Sequence, residues 1–227
     1  MIPNNIVLTY KKKENVPSYV FENLKKLNPD KEVLFFSDED VKKFLLEEYD
    51  SSYVDFFNSV RLGCTKGDFF RYCYLLKYGG YYCDIDIQHL EPIKNYIFSD
   101  TEFFSVSAAV GQKTFQAFLY SEKDHPIVKN CLKDLMNPES AKDYYYKTTD
   151  DMYKNIKSYL GLGKNEKINS GIHKTKNNTV VGIGQEICIN ANPVNGPLNS
   201  FFCLFGNRII ASSRYPSYKT EQGFKDI

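Results

Sequence analysis

From Ile6 to Leu45 the chain alternates strand-like and helix-like segments, and few folds tolerate that order. Residues 6–10 form a short apolar run behind Pro3. Residues 17–27 open with a proline and carry Val20, Phe21, Leu24 and Leu27 at helical spacing. Residues 32–36 read as a second strand. Ser37 follows as a helix N-cap, with Asp40 three positions on and an apolar face of Val41, Phe44 and Leu45. A β-α-β-α run of this kind is the pattern of an α/β fold.

The next elements extend the pattern. Residues 53–60 read as a short helix. Residues 64–78 read as a longer one, with Phe69, Tyr72, Cys73, Leu75 and Leu76 in a broad apolar stripe. Gly79 and Gly80 supply its left-handed C-cap, and residues 81–87 read as a strand. Beyond position 100 the spacing predicts a strand at 103–110, helices at 126–136 and 149–160, and a polar loop over 161–178. Short strands are expected at 180–190, 201–205 and 208–212. Neither a repeat nor a low-complexity linker breaks the chain, so one domain over 1–227 is expected.

Composition narrows the function classes. With 29 Lys plus Arg against 28 Asp plus Glu the net charge is +1, too small a field to favour nucleic acid. Apolar residues at 42%, with 18 Tyr and 17 Phe, fill a core and exclude disorder or coiled coil. The N-terminus lacks a signal-like basic and apolar pair of regions, and its greasiest windows are too short to span a bilayer. The six cysteines show no C-x-x-C, and the three histidines no ligand spacing, so a structural metal site and a Ser-His triad are not expected. The cysteines read as reduced, mostly buried thiols.

Asp84 and Asp86 interrupt an otherwise apolar and aromatic segment. Two apart on a strand, both would emerge on one face, where they repel each other unless a cation or donors compensate them. A hard divalent ion bridging to phosphate oxygens does so, and ligands of open α/β sheets bind at the carboxyl ends of strands. A calcium loop counted from Asp84 fails, because His89 and Asn95 stand where Gly and Glu are required. A haloacid-type phosphatase with Asp84 as nucleophile is weakened by Gln88 in place of Thr or Val. A solvated edge strand remains an alternative for an isolated D-x-D.

The preceding helix changes the weighing. Asp68, Arg71, Tyr72, Leu75, Tyr78, Gly79, Gly80, Tyr82, Asp84 and Asp86 reproduce the order D-x-x-R-Y, L, Y-G-G-x-Y-x-D-x-D. Over roughly twenty positions this resembles the signature of the glycosyltransferase family 32 group, the DXD-containing sugar-binding region. Taken as a bland pair, Asp68 and Arg71 would form a surface ion pair at i and i+3 worth about half a kcal/mol. The resemblance implies instead that they hold hydroxyls of a donor sugar. It also implies a GT-A-type fold with a single Rossmann-like mixed sheet flanked by helices. Residues 1–95 would form the nucleotide-sugar-binding half and 96–227 the acceptor side with a segment that caps the diphosphate.

What else the resemblance implies concerns ligands and setting. Asp86 would coordinate Mn²⁺ or Mg²⁺ on the nucleotide diphosphate, with Asp84 contacting the ribose or the ion. Thr9 and Tyr10 end the strand that contacts the nucleotide, Tyr10 replacing the group's Trp and Val7 its His. Near the C-terminus Ser217 and Tyr218 match the closing Ser-Trp element that caps the diphosphate. The donor would be a UDP- or GDP-linked hexose, transferred with retention to a glycan, lipid-linked or protein acceptor. The expected setting is the cytoplasm at the inner membrane face, in polysaccharide biosynthesis, with peripheral membrane association and no transmembrane segment. Thr149, Asp150 and Asp151 read as a plain helix start. A phosphatase and a non-catalytic nucleotide- or glycan-binding module remain the alternatives from other classes.

Overall fold

The structure is a computed structural model that describes residues 4–137, 146–175, 178–190 and 199–212. Strand β1 (Asn5–Thr9) is followed by helix α1 (Ser18–Leu27), strand β2 (Glu32–Phe36), and helices α2 (Asp38–Glu48), α3 (Ser51–Ser59) and α4 (Gly63–Tyr78). Then come β3 (Gly80–Cys83), β4 (Gln88–His89), β5 (Thr101–Ser107), β6 (Thr114–Ser121), α5 (Pro126–Met136) and α6 (Lys147–Tyr159). Strands β7 (Gly171–Lys174), β8 (Val180–Asn190), β9 (Asn199–Phe205) and β10 (Arg208–Ser212) complete the order.

One mixed sheet runs β2-β1-β3-β6-β5-β8-β9-β10-β4, with β7 paired to β8. Its first three strands are parallel, β1 lying between β2 and β3 with Val7 beside both Leu34 and Tyr82. Strand β6 joins β3 antiparallel, setting Cys83 against Phe118. The side chains of β1 sort onto two cores. Val7 faces a cluster with Phe69, Phe70 and Leu75 of α4 and with Val128 and Met152 from α5 and α6. Ile6 and Leu8 face the other side, with Val20 and Leu24 of α1 and with Phe104 and Phe118. The α/β expectation therefore holds, as a mixed sheet flanked by helices.

Local chemistry explains the starts and stops. Ser37 caps α2 through a complete capping box, its hydroxyl accepting from the Asp40 N–H while the Asp40 carboxylate accepts from the Ser37 N–H. Helix α4 stops at Gly79 (φ 68°), and Gly80 (φ 119°) begins β3 where a Cβ would strike the Asn5 side-chain amide. Gly182 and Gly184 lie within β8, and a Cβ on Gly182 would stand 2.6 Å from the Phe104 ring.

Several expectations are corrected. The segment 161–178 is not wholly loop, since β7 pairs there with β8 and sets Gly171 beside Ile183. Strand β6 and the short β4 were not expected at all. The expected strand at 81–87 ends at Cys83, where its pairing with β6 stops, and the chain then turns, with the Ile87 N–H bonding the Asp84 carbonyl at 3.4 Å. No helix among the described residues is long and apolar enough to cross a membrane.

Candidate active site

Asp84 and Asp86 sit in the turn at the carboxyl end of β3, not on the strand itself. They share a side nonetheless, because Ile85 and Ile87 are buried at 6% and 2% exposure and the alternation continues through the turn. The turn is tied down by the Asp84 N–H, which donates to the Ala117 carbonyl of β6 at 2.6 Å. Both acids line a cavity of about 400 Å³ together with Asp68 and Arg71 of α4, Gln116 of β6 and Thr148 of α6. Its walls are thus drawn from both halves of the chain.

Arg71 is the hub. It is only 4% exposed, and Asp68 is 8% exposed, so this is no surface pair. One terminal nitrogen, Nη2, lies 3.1 Å from Asp68 Oδ1 and 3.0 Å from Asp84 Oδ1. The other, Nη1, donates to the Gln116 carbonyl, and Nε donates to the Gly67 carbonyl at 3.4 Å. The guanidinium lies 4.4 Å from the centre of the Tyr82 ring, whose hydroxyl donates to Asp84 Oδ1 at 2.8 Å. Thr148 completes the cluster by donating to Asp68 Oδ2 at 2.5 Å. Such a cluster orients its members rigidly, since each charged group is held by several partners.

Its electrostatics are unbalanced. Burial raises the pKa of Asp68 above the ordinary carboxylate value against the opposing effects of Arg71 and Thr148. Burial likewise raises Asp84, against Arg71 and the Tyr82 hydroxyl and with a further push from Asp68. Burial by itself would lower Arg71, but Asp84, Tyr82 and Asp68 more than offset it, and the guanidinium stays charged. Asp68, Asp84 and Asp86 face Arg71 in one cavity, while the Lys113 ammonium on the same wall is paired with Asp150 at 3.4 Å. An excess of carboxylate in one cavity favours a cation.

Mn²⁺ or Mg²⁺ suits these residues. Asp84 and Asp86 offer hard oxygen ligands, and no group of three or more acidic, histidine or cysteine side chains among the described residues forms a cage. One or two carboxylates completed by phosphate oxygens and water is how such ions are held beside nucleotides.

The remaining expected residues fall elsewhere. Thr9 and Tyr10 leave β1 at the same sheet edge as Asp84, since β1 and β3 are parallel, but they do not line the cavity. The Thr9 hydroxyl and the Tyr10 N–H both donate to the Phe36 carbonyl, at 2.9 and 3.2 Å. Ser217 and Tyr218 lie outside the described residues. Helix α6 starts at Lys147, two residues before the expected Thr149, and Thr149 bonds the Tyr146 carbonyl from inside the first turn. Thr148 and Gln116 were not singled out from the sequence. The signal for Gln116 was present in the apolar run Phe115, Ala117, Phe118, Leu119 and Tyr120 around it, whereas nothing in the sequence links Thr148 to Asp68.

Comparison with known proteins agrees with this geometry. Residues 15–104 match the family described as "Glycosyltransferase sugar-binding region containing DXD motif". A curated relative, the mannosyl phosphorylinositol ceramide synthase SUR1 of Saccharomyces cerevisiae (strain ATCC 204508 / S288c), is 35% identical over 89 residues. That match covers 38% of this chain and spans 23% of the relative's length. Among solved structures, the PaToxG glycosyltransferase superposes with a TM-score of 0.53 at 16% identity, over 69% of each chain. The buried Asp68–Arg71 pair and the acids at the end of β3 all lie within the matched segment. Residues 15–104 are thus similar to a DXD-containing glycosyltransferase sugar-binding region, and the fold is similar to that of a solved glycosyltransferase.

Proposed function

We propose that this domain is a metal-dependent hexosyltransferase using a UDP- or GDP-linked donor and an acceptor hydroxyl on a glycan, a lipid-linked glycan or a protein. The observation that carries the reading is the Asp68–Arg71–Asp84 cluster on the wall of a cavity that also holds Asp86. Asp86, with Asp84, would hold Mn²⁺ or Mg²⁺. When bound, the ion acts as a Lewis acid that offsets charge on the leaving diphosphate.

The chain's own groups orient and exclude. Arg71 fixes Asp68 and Asp84 at 3.1 and 3.0 Å, so that their carboxylates meet the sugar in one arrangement. Both acids are already engaged, Asp68 by Arg71 and Thr148 and Asp84 by Arg71 and Tyr82. Neither is therefore placed as the free nucleophile of a double displacement. Given the retention that the resemblance implies, this argues for attack on the face from which the phosphate leaves. The same engagement of Asp84 speaks against the phosphatase alternative, which needs that carboxylate as its nucleophile.

Calorimetric titration of UDP and of GDP, with and without Mn²⁺, into the wild type and Asp86→Ala tests the reading. Binding of one nucleotide that requires both the metal and Asp86 is expected. Absence of nucleotide binding under every condition would overturn it, as would phosphate release from p-nitrophenyl phosphate.

A further inference from the structure

The cavity that holds Asp84 and Asp86 is polar at its acids, yet two apolar side chains on its wall stay in contact with water. Val110 of the β5–β6 hairpin is 77% exposed, and Tyr146, one residue before α6, is 47% exposed. Scattered exposed apolar residues are ordinary on a surface, but a flat aromatic ring on the wall of a reaction cavity is a surface that a ligand can cover. The ring is held in place. Lys113 Nζ stands 3.6 Å from its centre and 3.4 Å from Asp150 Oδ1. The Thr114 hydroxyl donates to the Thr149 carbonyl at 3.1 Å, which fastens the hairpin to the first turn of α6, and Glu186 of β8 accepts from the Ala109 N–H at 3.1 Å. Tyr146 also borders the place assigned to the donor sugar, since Thr148, two residues on, holds Asp68. Along β6, Thr114 stands three residues from Ala117, which bonds the Asp84 N–H, a span of roughly 10 Å. Tyr146 therefore neighbours the acids without belonging to their cluster.

We infer that Tyr146 is a specificity-determining residue that stacks on a pyranose ring of the acceptor, which makes the acceptor a carbohydrate; the inference rests on the transferase reading above. A pyranose presents a flat face of C–H groups and an edge of hydroxyls. The face suits an aromatic ring, because stacking removes apolar surface of both partners from water and adds dispersion contacts. The edge suits the neighbouring wall, where Lys113, which lines the cavity, and its partner Asp150 supply a donor and acceptors for hydroxyls. An alkyl chain fits poorly here, because it would strip water from that ion pair without replacing its hydrogen bonds. A serine or threonine side chain brings a hydroxyl but no flat apolar face. Since the hairpin and the start of α6 already fix the ring, little further ordering is needed when the sugar arrives.

Tyr146→Leu keeps an apolar side chain and removes the flat ring, whereas Tyr146→Phe keeps the ring and removes only the hydroxyl. With Mn²⁺ present, release of nucleoside diphosphate from UDP-glucose, UDP-galactose and GDP-mannose is followed in wild type and both variants. The acceptors offered are the methyl α-glycosides of glucose, mannose and galactose, with octanol and N-acetylserinamide as alcohols that are not sugars. The expected result is faster release with a methyl glycoside in the wild type. Tyr146→Leu should raise the KM for that glycoside about tenfold and leave the KM for the donor in place, and Tyr146→Phe should keep the wild-type acceptor KM. The position is half exposed, so melting temperatures are expected to stay together. A leucine variant that matches the phenylalanine variant, an equal rise in both KM values, or faster release with none of the glycosides would overturn the role of Tyr146 while leaving the transferase reading standing. Wild type that turns over none of the three donors, with or without an acceptor, would overturn the transferase reading, and this inference with it.

Discussion

Thr148 at the start of α6 donates its hydroxyl to Asp68 Oδ2 at 2.5 Å, across 80 positions of sequence. With Arg71 on Oδ1, both oxygens of Asp68 are held, and the bond opposes the upward push of burial on its pKa. Thr148→Val should therefore raise that pKa further. Loss of the bond to a buried carboxylate is expected to destabilise by about 2 kcal/mol in urea unfolding. The acid limb of sugar-nucleotide binding should also move to higher pH. An acid limb that stays in place would detach Asp68 from ligand binding.

Asp84 and Asp86 look equivalent in the sequence but are not in the structure. Asp84 is tied to Arg71 and Tyr82, whereas the ion-binding role proposed above falls chiefly on Asp86. Asp86→Asn should lose Mn²⁺-dependent nucleotide binding. Asp84→Asn should lose both binding and about 1–3 kcal/mol of stability. Paired calorimetry and chemical denaturation separate the two patterns.

Arg71 holds two carboxylates and two backbone carbonyls at once. Arg71→Met would leave Asp68 buried without compensation, and a loss of about 3–5 kcal/mol is expected. Arg71→Lys should not rescue it, because a single ammonium cannot reach Gly67, Gln116 and both acids together. Denaturation midpoints of the two variants would check this, and a wild-type midpoint for the lysine variant would refute it.

His89 gives the fold a pH dependence of its own. It lies in β4 at 1% exposure, paired through Ala211 to β10, and burial lowers its pKa from 6.5 to about 4. The folded state thus keeps the imidazole neutral where the unfolded chain takes up a proton. Its stabilising effect is complete above pH 6.5 and fades as the pH falls from there toward 4, by about 3 kcal/mol in all. Denaturation at a series of pH values should show this slope, and His89→Gln should flatten it. An unchanged slope would assign the effect to other groups.

Much of this was legible from residue patterns, and the failures have identifiable causes. The capping box at Ser37 and Asp40, the span of α5 from Pro126 to Met136, and the spans of β8 and β10 follow directly from local chemistry and periodicity. Strand β6 escaped because all but one of its residues are buried, so it lacks the alternation that marks a half-exposed strand. The strand expected through Ile87 was too long because alternation of apolar and acidic residues continues into a turn, where sheet pairing, invisible in sequence, has already ended. The pair Asp68 and Arg71 was singled out by the resemblance, but its burial was not legible, since that depends on Thr148 and Gln116 arriving from distant parts of the chain.

That arrival has a consequence for the segment as a portable unit. The matched region ends at residue 104, yet Gln116 and Thr148, which hold Arg71 and Asp68 in place, come after it. Cut at that boundary, the segment would keep its signature letters and lose the neighbours that organise its charges. Its central arginine and aspartates would face water as ordinary solvated ions. The motif is therefore a description of half an apparatus, and the downstream strand and helix are what turn its letters into a shaped site.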